Sequence, residues 1–508
     1  MTAAKAYKAI AKHPHTVVTI ICVIIAVLSA YVPEAVGPAN SGDFLRVIQP
    51  SRIKYVDDNP RTMWQGYGYT PEFAMDLGSG GGILGRAVYF LQTDFTTFDF
   101  PSSQIPAIKL SKFLNLAYNA LTGKPLSTYN LFWLFMIHLA IFAVAIHLII
   151  GYIFRRFGLK AFVFSSLVAV FVLSDQGYTM YFNSFYGEAL QYVLTLLVIG
   201  LLLRIEERRS GGLVLYCIAV YLMATSKFAW IPVGILFALA PLGFLLSKDI
   251  GFSRKKLIAF CSVTVCALLA FYALLIPSWI DRDTTFTAVF DGVLRNSQTP
   301  EQDLEELGLD PGYAVLQGWQ AYMDGYPIDI SSEEFNEGFF GEVSKAKILM
   351  FYLKHPTRLL DVMRESAGYA RYIRAPYLTS VQNPESWGDQ AYRFSLWESA
   401  RVAIVPLANF WFIAAVLALG VAAAIAKLRR IIKRKAVGLS VMHPILLLVL
   451  IASAAGSFIM PYISNGIADQ AKQLFGFISL FDIIIFTLIG CIVQSIDFSR
   501  IVKAIRSK

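Results

Sequence analysis

Apolar residues in this chain gather into long unbroken runs, separated by basic clusters or by two extended polar stretches. The runs show no strict alternation. They approach the roughly 20 residues that a helix needs to cross the hydrocarbon core, so helices rather than barrel strands are predicted. Ten are expected, at about 15–33, 130–154, 159–174, 188–204, 212–225, 230–247, 257–277, 402–426, 441–461 and 474–494. The fold class that follows is an all-α polytopic membrane protein.

The basic clusters orient these runs. Arg155 and Arg156, Arg204 to Arg209, Lys248 to Lys256, Lys427 to Lys435, and Arg500 to Lys508 all fall at one side once the amino terminus is set in the cytoplasm. Lys and Arg bias loops toward that side. Ten crossings return the carboxy terminus to it. The first run follows Lys5, Lys8 and Lys12 and has no small-residue cleavage site before Pro33, so a retained helix is expected over a signal peptide. The predicted organisation is 1–33 (tail and first helix), 34–129 (first extracytoplasmic loop), 130–277 (helices two to seven), 278–401 (second extracytoplasmic segment) and 402–508 (helices eight to ten and tail).

Composition fits that picture. The chain has 508 residues, 56% hydrophobic and 16% charged, against about a quarter charged in soluble proteins. The net charge of +9 is accounted for by the orienting clusters, so no nucleic acid partner is expected. All five cysteines lie in apolar runs with no CxxC or Cys/His pattern. The six histidines form no triad or metal pattern.

The two outer stretches are too long to be bare loops. In the first, Pro106 starts and Gly123 stops a helix that sets Ile108, Phe113, Leu116, Ala117 and Leu121 near one face. Such helices lie in the membrane interface. In the second, residues 299–322 read as short capped helices. Residues 355–374 form an amphipathic segment carrying Arg358, Arg364, Arg371 and Arg374. The glycine-rich stretch 76–86 lacks the Gly-Lys-Ser/Thr ending of a phosphate loop and reads as a tight turn.

Four polar motifs fall on the outer side. In NSGDFLRV (40–47), Gly42 lets the backbone turn so that Asp43 comes back over the membrane; the alternative is Asp43 as a helix cap. In YFNSFYGEAL (181–190), Asn183, Tyr186 and Glu188 offer donors, acceptors and a ring suited to a sugar, although Glu188 also suits a helix first turn. Lys227 in ATSKFAW has no acid near it in sequence. It either meets a lipid phosphate or snorkels. Asp469 and Lys472 in NGIADQAKQLFGF either pair with each other at i, i+3 or join the same outer site.

These motifs resemble the GT-C glycosyltransferases, polytopic enzymes that use polyprenyl-phosphate-linked sugars. The resemblance rests on SGDF after the first helix, the amphipathic helix at 104–122, NSFYGEA, TSK and ADQAKQLFGF, and covers most of the chain as architecture. The chain lacks a large carboxy-terminal extracytoplasmic domain. The resemblance implies an inverting hexosyl- or pentosyltransferase in the cytoplasmic membrane, its active site facing outward. The partners would be a polyprenyl-phosphate sugar donor, a glycan or glycolipid acceptor of the cell envelope, and membrane lipids. It further implies Asp43 as general base and Lys227 on the phosphate, with Arg371 or Arg374. Glu188, with Asn183, Tyr186, Asp469 and Lys472, would hold substrate. Phe44 rather than a second acid follows Asp43, so no metal is assigned, and a divalent cation stays open as cofactor. The rival reading is a lipid or glycan transporter, which would place ionisable groups such as His138, His147 and Asp482 at midplane.

Overall fold

A computed structural model describes residues 13–57, 66–78, 89, 92, 101–207, 212–247, 253–434 and 438–496. The glycine-rich stretch lies largely outside them. Among the described residues eight helices are long and apolar enough to cross a membrane. They are α1 (Pro14–Tyr31), α3 (Phe132–Leu173), α4 (Gly187–Glu206), α6 (Phe228–Leu246), α7 (Arg254–Leu275), α12 (Phe410–Lys433), α13 (Leu439–Asn465) and α14 (Phe475–Ser495). Gly212–Ala224 forms a shorter apolar helix, α5. The remaining helices used below are α2 (Gln104–Thr122), α8 (Ser278–Ala288), α9 (Lys345–Lys354), α10 (Pro356–Tyr369) and α11 (Leu396–Ala403).

The ten expected segments map onto these helices. Two of them form the 42-residue α3, which breaks at Gly158. There φ is 77° and ψ is −170°, a backbone state that glycine adopts freely and other residues do not. The eighth segment is displaced: Leu396–Ala403 is a helix of its own, and the chain breaks around Pro406 before α12 begins at Phe410. Asn409 caps α12 by accepting from the Trp411 and Phe412 amides at 2.9 and 3.2 Å. Lys427, Arg429, Arg430 and Lys433 therefore lie on its last turns.

The ends of the helices separate by chemistry. At the basic end, Arg155 pairs with Glu207 at 2.9 Å, the Lys160 ammonium reaches the Ile496 carbonyl at 3.0 Å, and the His15 and His147 rings lie 4.6 Å apart. The four polar motifs lie at the opposite helix ends, together with the described residues of 34–129 and with 278–401.

The first stretch holds something the sequence did not announce. Ile53–Lys54, Glu72–Met75 and Thr128–Asn130 form a three-stranded antiparallel sheet, β1–β2–β3, with Ile53 opposite Met75 and Glu72 opposite Asn130. Strands of two to four residues are too short to display alternation. Phe185, from the 181–190 turn, anchors this sheet. Its ring sits 5.0 Å from Phe73, 6.0 Å from Tyr129 and 5.4 Å from Phe44, which locks the turn around Asp43 to the turn before α4.

Helix α2 inverts the usual arrangement. Its buried side carries Gln104, Ser111, Lys112, Asn115 and Asn119 along with Ile105 and Ile108. Leu110, Phe113 and Leu121 are exposed, Leu121 to 88%. Ile108 therefore points opposite to Phe113 and Leu121, not along their face. Asn115 and Asn119 donate to the Thr128 carbonyl at 2.7 and 2.8 Å, and Lys112 donates to the Ser51 carbonyl at 2.9 Å. The polar side is thus tied to the protein and the apolar side is left outward. Gly123, at φ 71°, ends the helix in a left-handed cap.

Candidate functional site

Asp43 is delivered by a turn that does not need its carboxylate. Asn40 Oδ1 accepts from the Gly42 and Phe44 amides at 2.9 and 3.0 Å. Gly42, at φ 95°, supplies the left-handed step. Asn40, not Asp43, is thus the capping side chain. Tyr186 fixes the same turn from the other side: its hydroxyl donates to the Ala39 carbonyl at 2.8 Å and accepts from the Ser41 amide at 2.9 Å. The Tyr186 ring is buried against Phe44 at 4.8 Å and offers no platform to a sugar. Asn183 is likewise spent on scaffolding. It accepts from Tyr31 at 2.9 Å and donates to the Val36 carbonyl at 3.0 Å.

The released Asp43 carboxylate meets two cations, Lys472 at 2.8 Å and Arg46 at 2.8 Å. Lys472 also contacts Asp469 at 3.1 Å and Ser41 Oγ at 3.3 Å, and lies 5.6 Å from the centre of the Tyr186 ring. Only 2% of the Lys472 side chain is exposed. Its donors are all engaged, so it joins the two carboxylates and has none left for a ligand. Asp469 is held in the left-handed region at φ 53°, where Asp is among the few residues that settle, and it accepts from the Tyr377 hydroxyl at 2.9 Å.

Electrostatics follow from this arrangement. Burial alone would raise the Asp43 carboxyl. Lys472 and Arg46 outweigh it, with Lys227 adding to the effect, and hold it well below the usual carboxylate range. Lys472 lowers Asp469 in the same way. The two carboxylates in turn push the Lys472 ammonium well above its ordinary value despite its burial. Asp43 still keeps 27% of its side-chain surface accessible and Asp469 keeps 46%. Both side chains therefore keep accessible surface beside their ion pairs.

Lys227 does have an acid beside it, Glu188 at 2.8 Å. The two lie 39 positions apart in the chain, which hid the pairing. Close approach makes it: a Cβ on Gly187 would stand 2.9 Å from the Ser226 carbonyl oxygen. Lower down, a Cβ on Gly476 would meet Trp230 and Gln191 within 2.6 Å. Gln191 follows Glu188 by one turn and Gly476 follows Lys472 by one turn, so the starts of α4 and α14 run side by side. The Glu188 and Lys472 charges both act on the Tyr181 hydroxyl. Glu188 is buried under Lys227, whose side chain stays 26% exposed.

The two arginines fare differently. Arg374 is buried in an ion pair with Glu398 and donates to the Ala391 carbonyl at 2.9 Å, so it is committed to structure. The Arg371 guanidinium lies 4.9 Å from the Tyr372 ring centre, and no contact among the described residues joins it to Asp43 or Lys227. Sequence reasoning missed Arg46, although its i, i+3 spacing from Asp43 signals an ion pair. It also missed Asp283, whose charge acts on Arg46. No local pattern marks that residue.

The donor set does not suit a divalent cation. Among the described residues no group of three His, Cys, Asp or Glu side chains could hold one. Asp43 and Asp469 already converge on the Lys472 ammonium, which stands where a shared metal would.

Comparison with curated proteins and with solved structures returned no match. A family model described as the YfdI N-terminal transmembrane domain matches residues 3–507. The chain therefore belongs to the YfdI N-terminal transmembrane domain family.

Proposed function

We propose that this protein is an inverting glycosyltransferase of the GT-C type, moving a hexose or pentose from a polyprenyl-phosphate donor to a lipid-linked or cell-envelope glycan on the extracytoplasmic side. One observation carries the reading. Acidic and basic side chains from four separated motifs converge at the helix ends away from the basic clusters, and Asp43, Asp469 and Lys227 stay accessible there. A polyprenyl chain lying in the bilayer would bring its phosphate to that level.

The reaction balances without a cofactor. The acceptor oxygen forms a bond to the anomeric carbon while the bond from that carbon to the phosphate oxygen breaks. The leaving polyprenyl phosphate keeps the electron pair, and the acceptor proton passes to Asp43. A carboxylate held this far below its ordinary pKa is a weak base. It takes the proton late, once attack on an oxocarbenium-like centre has acidified the hydroxyl. Lys227 neutralises the departing phosphate, and Glu188 holds Lys227 in place. Lys472 positions Asp43 and Asp469 without touching substrate.

The transporter reading is less well supported. Asp482 is paired with Arg401, and His138 Nδ1 meets the Phe182 carbonyl at 2.9 Å. These interior polar groups are committed to the fold.

The test is Asp43→Asn, assayed for transfer from a panel of polyprenyl-phosphate sugars to cell-envelope acceptors. Removing a general base lowers the rate by about 10²–10⁴-fold, with thermal unfolding near wild type. Undiminished transfer by a well-expressed variant would remove Asp43 from the base role.

A further inference from the structure

Behind Arg46 lies a second feature that the proposed chemistry does not use. The Arg46 guanidinium pairs with Asp43 on one side and covers the Trp279 ring on the other, 5.2 Å from its centre. Trp279 opens α8 and lines a cavity of about 260 Å³ together with Arg282, Asp283, Phe286 and Phe340. The Asp283 carboxylate stands by the Tyr322 hydroxyl and acts on Arg46, and burial raises its pKa. The wall is built, not incidental. Ala321 N donates to Thr287 Oγ1 at 3.2 Å, Gln320 donates to Asp291 at 2.7 Å, and the Tyr326 hydroxyl donates to the Gln320 carbonyl at 2.8 Å. These bonds pin the loop that carries Tyr322 against α8.

The lining selects a ligand class. Of the cations nearby, Arg46 is paired with Asp43, while Arg282 bonds Asn336 and covers the Phe340 ring at 4.4 Å. Asp283 lines the same space and offsets the Arg282 charge, so an anion gains little there. Trp279 and two phenylalanine rings beside the acidic Asp283 suit a ligand that is apolar on one side and hydroxylated on the other.

We propose that this cavity is a subsite for one neutral saccharide unit of the acceptor, the unit next to the one whose hydroxyl reacts at Asp43. Arg46 is the partition between the two positions, in contact with both. The identification of the ligand as acceptor rests on the glycosyltransferase reading. The existence of a neutral-sugar site does not.

The experiment is saturation-transfer NMR on the full chain in detergent, with glucose, galactose, rhamnose and N-acetylglucosamine at millimolar concentration and glucuronate as the anionic control. At least one neutral sugar is expected to receive saturation. Asp283→Asn, which keeps the side chain's shape, and Trp279→Leu are each expected to weaken that binding about tenfold, the scale of one lost charge-assisted hydrogen bond. No binding of any neutral sugar, preference for glucuronate, or unchanged binding in Asp283→Asn overturns the proposal. The two readings separate cleanly. Full transfer activity in Asp43→Asn would sink the catalytic assignment and leave the sugar site standing. Unaltered acceptor KM in Asp283→Asn beside an inactive Asp43→Asn would sink the subsite alone.

Discussion

Two clusters of buried charge lie among the same loops and helix starts, and they are built in opposite ways. In one, Arg401 of α11 pairs with Asp482 of α14, which also accepts from the Tyr178 hydroxyl at 2.6 Å and from the Trp397 indole. Beside it Arg374 pairs with Glu398, while Asp175 accepts from the amides of Gly177 at 2.8 Å and Trp397 at 2.7 Å. These groups are buried, with their charged ends bonded inside the protein and the Arg401 Nε left without a partner. In the other cluster Asp43, Asp469 and Lys227 are paired yet keep accessible surface. Both clusters use the same residue types. What separates a staple from a site is side-chain surface that stays accessible beside the ion pair.

That contrast can be broken most forcefully at Arg401. Arg401→Met leaves the buried Asp482 without its cation, and should cost about 3–5 kcal/mol of stability, read as a large fall in unfolding temperature in detergent. Arg401→Met combined with Asp482→Leu should recover most of that loss, since a dry pair can be replaced by packing. A small effect of the single change would mean that the staple is not closed.

Next in size is Lys227→Met. It should lower kcat/KM for the polyprenyl-phosphate donor by roughly 10²-fold, the scale of one lost transition-state charge contact, with a smaller effect on stability than Arg401→Met. Equal loss for all acceptors would place the defect on the donor side. An unchanged kcat/KM would exclude Lys227 from the phosphate.

The smallest expected effect is a shift in pH dependence. Asp43 has a folded pKa below its ordinary 3.8. Its contribution to stability is therefore complete above that ordinary value and is lost only as pH falls through the lower folded one. Lys472→Met removes the main counter-charge and leaves Asp43 and Asp469 repelling each other. The acid limb of the pH–rate profile should then move upward, to the ordinary carboxylate range or above it, while Asp43 stays in place. An unmoved acid limb would show that Lys472 does not tune Asp43.

The membrane helices were legible in sequence because each is a long run whose basic flank marks its end. Gly42 before Asp43 announced the turn, although Asn40, three positions earlier, does the capping. Arg374 misled because its partner Glu398 stands 24 residues away, beyond any helical spacing. Lys227 and Glu188 were each noticed, but their pairing needs α4 and the 225–230 turn to touch, which no local pattern encodes. Asp283 and Tyr322 stayed hidden for the same reason. They sit in a segment of short helices whose order in the chain says nothing about which turns face the membrane helices.

Helix α2 carries a practical consequence. Its asparagines and Lys112 are bound inward and Leu110, Phe113 and Leu121 are turned outward, so the helix presents an apolar side to its surroundings. Excised for study in water, the helix would carry an exposed greasy side that invites aggregation.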